Sequence, residues 1–168
     1  MKPELRGQAN PFVEPNELYR GRAGKLEKAA SRAVETLAVG RGLAVGDIDN
    51  DGDLDAVVSN NGGRLRLLIN EGAKGGWVEA RLVGTSSSRM PLGARVAWVR
   101  DGEATQWRRV QSDGSYLSSS DTRVHFGLGS GSGAGTLRVI WPRGLKEEWP
   151  GVKPGHVVEL REGSGRRR

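Results

Sequence analysis

Asp47, Asp49, Asp51, Asp53 and Asp55 set five carboxylates on alternate positions of one short stretch, Asp47-Ile48-Asp49-Asn50-Asp51-Gly52-Asp53-Leu54-Asp55. Like charges this close repel one another unless a cation sits among them. Carboxylate and carbonyl oxygens on a flexible loop suit Ca²⁺, which takes six to eight oxygen ligands. The spacing assigns the side chains of Asp47, Asp49, Asp51 and Asp55 as ligands, and the backbone carbonyl of Asp53, which stands at the seventh position of the loop. Gly52 falls where a tight turn needs a residue without a Cβ. A solvated acidic turn without metal is disfavoured, because the glycine and the odd-position spacing occur together.

The elements that must hold this loop read as strands. Leu43-Ala44-Val45 precedes it and Ala56-Val57-Val58 follows it, all small, aliphatic or β-branched. An EF-hand would carry glutamate at its twelfth position between two helices. That position is Val58, so the loop belongs between strands.

Residues 1–15 are polar and contain Pro3, Pro11 and Pro15, as an irregular lead-in does. Asn16-Glu17-Leu18-Tyr19-Arg20 reads as a short strand. Leu26, Ala29, Ala30, Ala33 and Leu37 recur at helical spacing, so periodicity alone predicts a helix over 25–39. After the acidic loop, Asn60-Asn61-Gly62-Gly63 marks a hairpin. Leu65, Leu67 and Ile69 alternate as in a half-buried strand. Glu71-Gly72-Ala73-Lys74-Gly75-Gly76 reads as a flexible domain junction.

Beyond it the chain alternates with period two. Val78, Ala80 and Leu82 share a face, as do Ala94, Val96 and Trp98, and Leu137, Val139 and Trp141. Six or seven short strands separated by Gly, Asp and Ser fit a β-sandwich, with Trp98, Trp107 and Trp141 as core residues. Trp77 and Trp149 stand near element ends and are expected at the surface.

The 168 residues carry 26 basic and 20 acidic side chains, a formal charge of +6, and no cysteine. Disulfides and thiolate metal sites are thereby excluded. The basic residues are scattered without a nucleic-acid motif, except for the tail Arg166-Arg167-Arg168. They read as a solvated, Arg-rich surface, and no nucleic-acid partner is expected. No apolar run approaches a membrane span, and Met1 to Arg6 has no apolar stretch after it, so no secretory signal is visible.

Two family resemblances join in this chain. Gly42-Leu43-Ala44-Val45-Gly46, the aspartate loop and Ala56-Val57-Val58 resemble one FG-GAP (VCBS-type) repeat, a calcium-loop blade of β-propellers. The second half is similar to the ASPIC/UnbV domain through Arg81-Leu82-Val83-Gly84-Thr85, Leu92-Gly93-Ala94-Arg95-Val96, Gly114-Ser115-Tyr116-Leu117-Ser118, Ser120-Asp121, His125-Phe126-Gly127-Leu128-Gly129 and Val139-Ile140-Trp141-Pro142-Arg143-Gly144. The resemblance implies an all-β chain: a lead-in and incomplete blade over 1–40, a calcium-loop repeat over 41–72, a β-sandwich over 76–162 and a basic tail over 163–168. It implies Ca²⁺ held by Asp47, Asp49, Asp51, Asp53 and Asp55, and a strand-then-helical-turn at 25–39. It also implies an exported protein, extracellular or periplasmic, of which this chain reads as the C-terminal part. A lone blade cannot close a propeller, so exposed strand edges and self-association are expected.

For function, the residues and the resemblance favour a non-catalytic adhesion or ligand-binding module with a protein or glycan partner. The alternative is an accessory domain of an extracellular carbohydrate-active or other hydrolytic enzyme. His125 with Asp113, Asp121 and nearby serines matches no catalytic order or spacing, so His125 is expected to be structural. The loop 112–121 could hydrogen-bond sugar hydroxyls, but its Ser and Asp residues read first as turn formers.

Overall fold

A computed structural model describes residues 11–168 apart from 23, 73, 74, 104 and 132. Residues 1–10 of the lead-in and Ala73-Lys74 of the junction lie outside the described residues. Among those described there are fifteen strands and no helix. The first seven are β1 (Glu14–Pro15), β2 (Leu18–Arg22), β3 (Lys25–Ala29), β4 (Leu37–Ala38), β5 (Gly40–Gly46), β6 (Asp55–Asn60) and β7 (Arg66–Leu68). The next eight are β8 (Gly76–Val83), β9 (Arg95–Val99), β10 (Gln106–Arg109), β11 (Val124–Gly129), β12 (Gly135–Ile140), β13 (Lys146–Val152), β14 (His156–Arg161) and β15 (Arg166–Arg167).

The second half builds two sheets over one core. One has the order β10-β9-β12-β13-β15 and is antiparallel throughout. The other has the order β11-β8-β14, with β14 parallel to β8. Period-two alternation turns Val78, Ala80, Phe126 and Leu160 of the small sheet toward Val96, Trp98, Leu137 and Val139 of the large one, and all are buried in one cluster. Trp98 and Trp141 fill the middle at 1 % exposure each.

Two buried carboxylates hold the ends of this sandwich. Glu147 accepts from Trp141 Nε1 at 2.7 Å and from the Gly163 and Gly165 amides at 2.9 Å. Glu162 accepts from the Thr85, Ser86 and Ser87 amides and the Ser87 hydroxyl. Burial alone would raise its pKa, but these donors outweigh that and hold it below the usual carboxylate range. Residues 166–167 of the basic tail pair with β13.

The first half forms the hairpin β2-β3, the pair β1-β4 and the meander β5-β6-β7. The aspartate loop joins β5 to β6, as its flanks predict. The helix that periodicity predicts over 25–39 is not formed. Residues 25–29 are a strand, and Ser31 closes one turn by accepting from the Val34 and Glu35 amides at 3.0 Å. The apolar spacing has no core to face there: Leu26 is 75 % exposed. Leu65, Leu67 and Ile69 likewise face outward instead of lining a core. Trp107, expected inside, is exposed on the outer side of β10, whereas Trp77 and Trp149 are half-buried.

Packing around Trp98 leaves no room for a methyl group at Gly135, where a Cβ would lie 2.4 Å from the indole Cζ2. Gly135→Ala is expected to cost about 1–3 kcal/mol in urea unfolding. Gly114→Ala, which has open space around it, is the control and should change stability little.

Candidate metal centre

The loop between β5 and β6 is wound around its own carboxylates. Asp47 Oδ1 accepts the Asp51 amide at 3.2 Å and Oδ2 the Gly52 amide at 3.0 Å. Asp55 ties the ends together, accepting the Ile48 amide on Oδ2 and the Asn70 amide on Oδ1, both at 2.8 Å. The Asp51 carboxylate accepts the Asp53 amide at 2.8 Å. Gly52 sits at φ 94° and Asn50 at φ 62°, in the left-handed region that glycine and asparagine tolerate best.

This winding gathers one oxygen from each of Asp47, Asp49 and Asp55 within 4.8 Å of one another. Asp47 and Asp55 are buried and Asp49 is exposed. The Asp49 pKa is raised, first by lost hydration and then by the charge of Asp51. Three converging carboxylates, each with lone pairs left beyond its amide bonds, fit a hard divalent cation with oxygen preference. The other two predicted ligands, Asp51 and Asp53, lie outside this trio, Asp51 exposed and Asp53 buried.

The loop also rests on the sandwich. Arg123 lies just before β11. It bonds Asp121 Oδ2 at 2.5 Å, Asn50 Oδ1 at 2.7 Å and the Asp47 carbonyl, and it pairs with Glu79 Oε2 at 2.9 Å. His125 Nε2 lies 2.8 Å from the Gly52 carbonyl. A carbonyl only accepts, so that nitrogen carries the proton. Trp77 packs on Gly52 so closely that a Cβ there would fall 2.0 Å from the indole nitrogen.

Residues 112–121 take the free edge of β5. The Leu43 and Val45 amides donate to Ser115 Oγ and Ser120 Oγ, and the Asp121 amide donates to the Val45 carbonyl. The β5 edge, expected to be exposed, is thereby satisfied within the chain. A cleft of about 360 Å³ remains between the two halves, lined in part by Glu79, Arg123 and His125. Glu79 is 1 % exposed. Burial pushes its pKa up to about 7, Arg123 opposes the rise, and Asp47 and Asp121 add to it.

Residues 84–167 match the family model described as ASPIC and UnbV, half of the chain. The chain belongs to the ASPIC/UnbV family. It is similar to cartilage acidic protein 1 of Xenopus tropicalis, at 29 % identity over 143 residues, covering 83 % of this chain and 20 % of that protein. The human protein of the same name is 28 % identical over 116 residues, covering 67 % and 17 %. The matched part thus spans about a fifth of the length of these curated relatives. Within the ASPIC/UnbV domain, Arg123 and His125 reach out to the aspartate loop, and Asp121 holds the Arg123 side chain. Sequence reasoning missed Arg123, Glu79 and Trp77 as partners of the loop. Their only local trace is a charged or polar residue on the non-core face of β8 and next to β11.

A carboxyl raised by burial binds its proton more tightly folded than unfolded. The folded state therefore loses relative stability as pH rises from the ordinary value of 4.5 toward about 7. Glu79→Gln removes that slope. In chelator, the stability of the variant relative to wild type should rise between pH 5 and pH 8, by at most on the order of 3 kcal/mol, read from urea midpoints at each pH. A constant difference across that range would contradict the assignment.

Proposed function

We propose that this chain is a non-catalytic, calcium-binding adhesion or ligand-binding module, the C-terminal part of an exported protein in which FG-GAP-type repeats precede the ASPIC/UnbV domain. The observation that carries the reading is the convergence of Asp47, Asp49 and Asp55 within 4.8 Å. The strand-loop-strand setting of β5 and β6 supports one such repeat over 41–72, followed by the sandwich. Asp47, Asp49, Asp51 and Asp55 would offer carboxylates and Asp53 its carbonyl. The ion would neutralise their repulsion and stiffen the loop against the ASPIC/UnbV domain. A calcium-rich extracellular or periplasmic setting suits such a site. No described helix is long and apolar enough to cross a membrane. The hydrolase-accessory alternative gains nothing from the site, where His125 meets the Gly52 carbonyl of the loop and Asp121 holds Arg123.

Calorimetric titration of Ca²⁺ into chelator-treated protein, repeated with Mg²⁺, tests this. One calcium-selective event is expected. Calcium at 100 times its Kd should stabilise the fold by about 2.7 kcal/mol. Asp49→Asn should weaken binding at least about tenfold and shrink that stabilisation in parallel. Identical melting of the wild type in calcium and in chelator would overturn the proposal.

A further inference from the structure

The outer face of the five-stranded sheet carries a cation on every strand. Val96, Trp98, Leu137 and Val139 point into the core, so their sequence neighbours lie on the opposite face. Residues paired across neighbouring strands share a face, and the register therefore sets two rows across the sheet. In one, Arg109 stands opposite Arg95, Arg95 opposite Ile140, and Ile140 opposite Lys146. Arg168 follows on, its amide donating to the Lys146 carbonyl at 3.2 Å. In the other, Trp107, Ala97, Arg138, Glu148 and Arg166 stand side by side. Arg95, Arg109, Lys146 and Arg166 are exposed. The acids near them are Glu148, 3.5 Å from Arg138, and Asp113, 3.8 Å from Arg109.

Like charges directly opposed on neighbouring strands are unfavourable, yet Arg109 and Arg95 are so placed. Partial relief comes from the Trp107 ring, whose centroid lies 4.9 Å from the Arg95 guanidinium, and from Gln111, which accepts from Arg109. Strands spaced by about 4.8 Å carry the row across about 19 Å. An extended polyanion laid along this row would meet a cation on four of its five strands, two on either side of Ile140.

We propose that this face binds an anionic polysaccharide. The proposal deepens the ligand-binding reading by naming the ligand class, and it does not involve the metal. Single-stranded nucleic acid is bound by free aromatic platforms, whereas the exposed ring here is already stacked with Arg95. Duplex is read by an element that enters a groove, whereas this face is the surface of a sheet. A chain bearing sulfate or carboxylate groups needs only guanidinium and ammonium groups at intervals, and guanidinium pairs with such groups through two parallel hydrogen bonds.

The test is binding of a heparin oligosaccharide to the whole chain at 150 mM salt, in calcium and in chelator. The triple variant R109Q/K146Q/R166Q should bind at least tenfold more weakly. Its plot of log K against log salt should be shallower by roughly two to three. R20Q/R22Q/R64Q removes the same charge from exposed positions in the first half and should change affinity less than threefold. Arg109→Lys with Arg166→Lys keeps the charge and should retain most of the binding, which separates loss of charge from loss of fold. Equal losses in the two triple variants, no binding by the wild type, or equal affinity for an oligothymidylate of matched charge would each overturn the proposal. Failure here with an intact calcium titration would leave the metal reading standing. Binding here without calcium uptake would do the reverse.

Discussion

A loop that crowds carboxylates must turn its own amides inward to quench them, and its carbonyl oxygens are then left to be satisfied from outside. Four amides between Ile48 and Asp53 go to Asp47, Asp49, Asp51 and Asp55. The Asp47 and Gly52 carbonyls are taken by Arg123 and His125 of the sandwich. A buried carbonyl without a partner is costly, so the loop geometry and the contact between the halves are one problem with one solution. Glycine at 52 serves both: its positive φ makes the turn, and its missing Cβ admits Trp77.

The same chemistry recurs inside the sandwich without any crowding. Glu147 and Glu162 are isolated carboxyl groups, each accepting from turn amides, and at Glu162 these bonds hold the pKa below the usual carboxylate range. They fasten the turns at 83–87 and 163–165 to the sheets. Glu79 is the contrast. It is equally buried but has one guanidinium beside it and, among the described residues, no amide cradle, and burial prevails. One residue type thus serves as clamp or as weak point according to the donors around it.

Much of this was legible where spacing is short. The alternation of Val78, Ala80 and Leu82, of Val96 and Trp98, and of Leu137 and Val139 marks the core, because a strand facing one core must repeat every two residues. Asp47, Asp49 and Asp55 were legible as a group for the same local reason. Leu26 and Leu37 misled, since helical spacing implies a buried face and no core lies beside them. Trp107 misled because its neighbours on β10 are polar on both sides and leave the inward face undecided. The partnership of Arg123 with Asp47 spans 76 residues, and nothing in either local pattern announces it. The row of cations on the large sheet was unreadable as well. It exists only in the register of five strands, and along the chain the same residues look scattered.

The parallel pairing of β8 with β14 bears on how the molecule assembles. Val78 faces His156 and Leu82 faces Leu160 in that pair, so the first strand of the sandwich waits for one of its last. During synthesis the apolar side of β8 has left the ribosome while its partner is still some 70 to 80 residues from completion. Pairings this distant in sequence raise contact order and slow folding. Strand edges left open meanwhile are prone to wrong partners. The neighbouring β11, closer along the chain and antiparallel to β8, can cover the other edge first. Acquisition of the native fold is thereby ordered in time, with the β14 edge closing last.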